Sequence, residues 1–157
     1  MKATVFIETT VPSVYHETRS DAKLLGWKET TREFWSKRQR FRLVTSALVI
    51  AELEATPEPK RRAMLQLMED VEVLSDDSEI TGLAESYIQA KLLPRDALGD
   101  AAHLAYASFH EIQYLATWNC RHLANAWKYP MFEHFHRKSG LYLPRIVTPL
   151  ELVEVNP

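Results

Sequence analysis

The sequence predicts an α/β fold, with a largely parallel central sheet flanked by helices. Two observations carry this expectation. Short β-branched or aromatic runs recur along the chain and suit buried strands. Between them lie longer stretches with helical caps and stops. No linker, internal repeat or low-complexity segment divides the 157 residues, a length that fits one domain covering residues 1–157.

The first element, Ala3 to Ile7, reads ATVFI and is expected to be a strand buried on both faces. Thr9, Thr10 and Pro12 are expected to end it. Asp21 to Arg40 is a long helix candidate with Leu24, Leu25, Trp27, Phe34 and Trp35 as its apolar members. Arg42 to Thr45 is a short second strand, and Ser46 is placed to cap the helix ALVIAELEA, which stops before Pro57. Pro59 can open a helix to about Asp70, with Met64, Leu67 and Met68 inward. Val71 to Leu74 is strand-like, and Asp76, Asp77 or Ser78 can cap a helix through Leu93, ended by Pro94. Ala97 to His110 is Ala-rich and helical, Ile112 to Thr117 is a strand, a helical stretch follows, and Arg145 to Val147 is the last strand.

The composition is that of an ordinary globular chain, with 46% apolar and 25% charged residues. A net charge of −2 announces no global attraction to nucleic acid, although a local basic patch would suffice. Cys120 is the only cysteine, so no intramolecular disulfide can form. No apolar run approaches the roughly 20 residues of a membrane span, and the N-terminal apolar run is too short for a signal peptide. The expectation is a soluble cytoplasmic protein.

Parallel α/β sheets place their sites outside the carboxyl ends of the strands. Glu8 follows the first strand, Glu52 lies early in the helix after the second, Asp100 opens the Ala-rich helix, and Asn119 follows the fourth strand. Clustered carboxylates in apolar surroundings are costly and repel one another. A hard divalent cation relieves both costs, since Mg²⁺ and Mn²⁺ take oxygen ligands and still keep water. Such an ion activates water for phosphodiester hydrolysis.

In order and spacing, FIETTVPSVY, LVTSALVIAELE, LPRDALGDAAHLAYAS and YLATWNCRHLANA resemble the motifs of the PIN domain, and are most similar to its VapC-type branch of toxin–antitoxin ribonucleases. The resemblance covers nearly the whole chain. It implies an acidic quartet on Glu8, Glu52, Asp100 and Asn119 that binds Mg²⁺ or Mn²⁺ and cuts RNA. Thr9, Ser46 and Thr117 match the small hydroxyls that accompany those acids. It further implies a homodimer and a cognate antitoxin of a type II pair. The first position is usually Asp and here is Glu8. The fourth is often Asp and here is Asn119, which brings an oxygen without a charge. A catalytically weakened PIN domain that binds RNA or a protein partner without cutting is the alternative.

Charge and position put Arg121 and His122 where they can meet phosphate, and Cys120 and Trp118 are expected to pack. Asn125 either bonds near the site or holds a turn. Each acid also has a structural reading: Glu8 as a cap for a helix near Pro12, Glu52 as a surface side chain beside Glu54, and Asp100 as a helix N-terminal charge, with Asp96 competing for its role. His103 reads as a packed histidine. The pair in EHFH, His134 and His136, lies at i,i+2 and suits no zinc site on a helix. The runs Lys37 to Arg42 and Lys60 to Arg62 either track RNA or are solvated faces. Trp27, Phe34 and Trp35 are read as core or dimer interface.

Overall fold

A computed structural model describes residues 1–154. Its centre is a five-stranded, wholly parallel sheet in the order β3-β2-β1-β4-β5. The strands are β1 (Ala3–Ile7), β2 (Phe41–Thr45), β3 (Glu72–Val73), β4 (Tyr114–Ala116) and β5 (Arg145–Val147). The helices are α1 (Thr10–Tyr15), α2 (Ala22–Ser36), α3 (Ala47–Glu54), α4 (Lys60–Leu67), α5 (Ser78–Gln89), α6 (Leu98–Phe109), α7 (Tyr129–Ser139) and α8 (Leu150–Val153). No helix among the described residues is long and apolar enough to cross a membrane.

The α/β expectation holds, and each expected strand exists, though β3 and β4 are shorter than their apolar runs. Strand β1 is central, and Val5, Phe6 and Ile7 are fully buried. The Ala-rich stretch of α6 packs closely because Ala101, Ala105 and Ala107 take little room, and all three are buried. Asp77 caps α5 by accepting from Glu79 N.

Several expectations are corrected. The strand ends before Thr9, Thr10 and Pro12 as expected, but a short helix, α1, that was not foreseen begins there. Proline is tolerated there because the first turn of a helix needs no N–H from it. The candidate from Asp21 to Arg40 ends as a helix at Ser36 and tightens into a 3₁₀ turn over Arg38–Arg40. Of the apolar members of this helix, Leu25 is exposed while Phe34 and Trp35 are buried. Ala97 belongs to a 3₁₀ turn ahead of α6.

The sheet order fixes where a site can form. From β1 the chain winds one way to β2 and β3, then returns to the other side for β4 and β5. The switch point lies between β1 and β4, where crossovers on opposite faces leave a crevice at the carboxyl ends. The register sets Ile7 beside Ala116, and Ala116 beside Val147. Glu8 and Thr117 therefore leave the sheet on either side of the crevice. The basic run Lys37 to Arg42 enters β2 at its amino end, away from that crevice. There Arg42 forms a bidentate pair with Glu72, at 2.7 and 2.9 Å, and Lys37 pairs with Glu33 at 2.9 Å. In the other run, Lys60 donates to Ser13 Oγ at 2.9 Å and Arg61 pairs with Glu58.

Candidate active site

Glu8 is the first residue beyond β1, and burial there is nearly complete, with 1% of its surface exposed. Its Oε1 accepts the Thr10 backbone N–H at 2.7 Å and also the Thr10 hydroxyl. The helix-capping reading of Glu8 is therefore observed. Burial pushes its carboxyl up to about 7, only partly offset by the nearby His103 and by Thr10. Thr10 was not singled out from the sequence, yet it holds the crevice together. Its Oγ1 also accepts from Trp118 N at 2.8 Å, and it lies 3.5 Å from Thr117 Oγ1.

Glu52 is reached through the cap of α3. The buried Ser46 Oγ accepts Val49 N at 3.2 Å and starts the helix directly at the end of β2. Glu52 is half-buried rather than enclosed, with 34% of its side chain exposed. Its Oε1 accepts from Thr9 Oγ1 at 2.5 Å and from His103 Nε2 at 2.9 Å. Burial raises its pKa, but the His103 bond and charge, with the Thr9 bond, outweigh burial and leave it below the usual carboxylate range. The other oxygen, Oε2, faces α6, where a Cβ built on Gly99 would stand 3.2 Å away.

His103 departs from the packed, satisfied histidine that the sequence suggested. It is 2% exposed, its Nε2 is bound to Glu52, and its Nδ1 is buried without a hydrogen-bond partner among the described residues. Burial alone would lower its pKa, but the Glu52 bond and the charges of Glu8, Glu52 and Asp100 raise it. The acids around it thus favour its charged form. No local signal could have marked it, because its partners come from β1 and α3.

Asp100 sits in the first turn of α6, half-buried, and its Oδ2 accepts from Asn119 Nδ2 at 2.9 Å. Asp96 lies in the preceding 3₁₀ turn and is exposed, so Asp100 is the acid that reaches the crevice. Asn119 turns its amide N–H to Asp100 and its carbonyl to its own loop, where Oδ1 accepts Arg121 N at 3.2 Å and His122 N at 2.9 Å. That departs from the expectation that Asn119 offers an oxygen to a metal. Its oxygen is taken by two backbone donors, and it acts as a holder of Asp100. Thr117 Oγ1 accepts Asn119 N at 2.9 Å and fixes the loop's departure from β4.

Arg121 is exposed, and His122 is half-buried with its Nδ1 3.4 Å from Lys128 Nζ. Trp118 packs as expected. It stacks on Trp27 at 4.6 Å between centroids and donates Nε1–H to Thr31 Oγ1 at 2.8 Å. The free face of Trp27 is covered by Lys23. Cys120, expected to pack, is exposed.

Hard oxygen donors suit Mg²⁺ or Mn²⁺, and Gly99 leaves Glu52 Oε2 uncovered by any side chain of its own. In kind, then, the residues fit a divalent ion. As they stand they are not drawn together on one. Among the described residues, no group of three or more His, Cys, Asp or Glu side chains is gathered so as to hold a metal. The His103 ring lies among them instead, bonded to Glu52.

No protein-family model matches the chain. No curated protein matches it closely enough to assign a relationship.

Proposed function

We propose that this chain is a metal-dependent endoribonuclease of the PIN type, hydrolysing RNA phosphodiester bonds as the toxin of a type II toxin–antitoxin pair. The observation that carries the reading is the convergence of Glu8, Glu52 and Asp100 on His103 at the switch point of a parallel sheet. Perturbed titratable groups cluster at functional sites, and this crevice is where such folds place ligands.

In this reading Glu52 and Asp100 hold Mg²⁺ or Mn²⁺, with Glu8 as a third carboxylate behind them. A bound ion supplies Lewis acidity toward a phosphoryl oxygen and lowers the pKa of a bound water. Thr9 and His103 keep Glu52 in one orientation by occupying its Oε1. Asn119 does the same for Asp100. Arg121 and His122, whose backbone is pinned by Asn119, meet the substrate phosphates. The partners are an RNA substrate, a cognate antitoxin and a second copy of the chain, and the compartment is the cytoplasm.

A second reading is a weakened PIN domain that binds RNA or a protein partner without cutting. It is favoured by Asn119, whose oxygen is spent on its own loop, and by acids that are not gathered on a metal. Incubating a mixed pool of single-stranded and structured RNA with Mg²⁺, Mn²⁺ or EDTA decides between them. The ribonuclease reading expects cleavage with either ion, none in EDTA, and none from Asp100→Asn. RNA binding without metal-dependent cleavage overturns it in favour of the second.

A further inference from the structure

Trp127 is the outlier of the surface. Its indole is 92% exposed, while Trp35 and Trp118 are buried. Exposing so large an aromatic forgoes the burial that usually stabilises it. The backbone beneath it is nonetheless firmly held. Trp127 N donates to Asn125 Oδ1 at 2.9 Å, and Asn125 Nδ2 donates to Arg121 O at 3.1 Å. Arg121 N donates to Asn119 Oδ1 at 3.2 Å, and Asn119 Nδ2 donates to Asp100 Oδ2 at 2.9 Å. A relay of side-chain and backbone hydrogen bonds thus runs from an acid of the crevice to the backbone that carries the exposed indole.

Charge selects the occupant. The stretch 119–128 carries Arg121, His122 and Lys128 and no Asp or Glu. From α8, Glu151 faces Asn125 across a cavity of about 430 Å³, but its Oε2 accepts Thr148 N and so turns to its own helix. An exposed aromatic ring on a well-held backbone, in a stretch that carries cations and no acids, suits a single-stranded nucleic acid. The cations track phosphates, and the ring takes a base by its π-face. We propose that Trp127 is a stacking platform for one nucleobase of a single-stranded RNA whose backbone runs along Arg121 and Lys128 toward the acids. This rests on the ribonuclease reading for its substrate class and adds where a base outside the acid crevice is held.

The test uses the full chain in EDTA, so that cleavage does not intervene. Binding of a single-stranded uridine oligonucleotide is compared by fluorescence anisotropy with binding of an abasic oligonucleotide having the same number of phosphates. Wild type is expected to prefer the base-bearing strand by about five- to a hundredfold, the range for stacking one base on an aromatic ring. Trp127→Ala should erase that preference and leave the abasic affinity unchanged, while Trp127→Phe should keep part of it. Circular dichroism checks that both variants fold. A preference that survives in Trp127→Ala overturns the platform. So does a Trp127→Ala variant that only converts a dimer to monomer in sedimentation, which would assign the indole to a second copy. Wild type that binds both strands equally, or neither, also overturns it. A wild type that shows the Trp127-dependent preference but cuts no RNA in Mn²⁺ keeps the platform and sinks the ribonuclease reading alone.

Discussion

Two buried histidines, His103 on α6 and His136 on α7, have opposite hydrogen-bonding environments. His136, on α7, is 1% exposed and has both ring nitrogens satisfied. Its Nδ1 donates to Phe132 O at 2.7 Å, so its Nε2 accepts the Tyr87 hydroxyl, also at 2.7 Å. Burial lowers its pKa, and it stays neutral. His103 is as deeply buried, yet one nitrogen has no partner and the other meets a carboxylate, and its pKa is raised. The first pattern belongs to a core, where buried polar groups are satisfied. The second belongs to a site, where charge is retained at a cost. Burial alone does not tell a structural histidine from a functional one; the census of partners does.

The sharpest way to break this contrast is through the acids that only His103 serves. Asp100→Asn and Glu52→Gln are each expected to lower metal-dependent RNA cleavage by roughly a hundredfold or more, since each removes a charged ligand from the ion that activates water. His136→Phe should leave the rate per folded molecule unchanged. Initial rates on a labelled RNA check both. Equal losses at the two places would erase the distinction.

Stability separates the histidines next. His103→Phe strands Glu52 without its cation, and a loss of about 2 kcal/mol is expected at neutral pH, less than for a fully buried pair because Glu52 is partly exposed. Mn²⁺ should restore part of that loss, since an ion that binds only the folded chain stabilises it. His136→Phe removes the imidazole partner of the Tyr87 hydroxyl, which keeps only its Ser108 bond, and should cost about 1 kcal/mol, with no recovery in Mn²⁺. Urea midpoints with and without the ion make the comparison.

The pH dependence of stability should carry the mark of the acid end. Glu8 has a folded pKa of about 7 against an ordinary 4.5, so the folded chain holds its proton longer than the unfolded chain does. Its contribution is fully present below pH 4.5 and lost as pH rises to about 7. His103, also raised, adds stability below its ordinary 6.5 that is lost as pH rises through its higher folded value. Glu52, lowered, works the other way and loses its contribution only as pH falls below 4.5. Without metal, stability should therefore decline from pH 5 to pH 8. Glu8→Gln should flatten that decline, gaining about 1–3 kcal/mol at pH 8. A wild-type melting temperature that rises over this range would contradict the assignment of Glu8. The smallest effect belongs to Thr9→Val, which frees Glu52 Oε1 from one of two donors. A roughly tenfold loss of Mn²⁺ affinity is expected by calorimetry, with the fold intact.

Much of this was legible in the sequence, for local reasons. ATVFI and RIV are strands because their residues suit a pleated, buried ladder, and Ser46 caps α3 as its type and place suggest. Glu8 could be chosen because it follows a strand, Asp100 because it opens a helix, and Glu52 because it interrupts the apolar face of the helix after β2. What escaped was long-range. The short helix α1 was not foreseen; it begins at Thr10, right after the strand break, where the Glu8 side chain accepts Thr10 N. Asn119 looked like an oxygen donor, and only the path of its loop shows that the oxygen is spent on Arg121 and His122. His103 looked packed because its partners lie on other segments of the chain. Patterns of type and spacing reveal which residues line an element; they do not reveal which hydrogen bonds those residues keep for themselves.

The most direct test of the central claim is a Mn²⁺ titration of protein labelled with ¹⁵N at histidine, followed by the ring resonances of His103 and His136. A paramagnetic ion held by Glu52 and Asp100 should broaden the His103 signals first and leave those of His136 sharp until excess ion is added. Asp100→Asn should abolish the selectivity. His103 and His136 broadening together, or His103 staying sharp at saturating Mn²⁺, would contradict a metal site at the carboxyl end of the sheet.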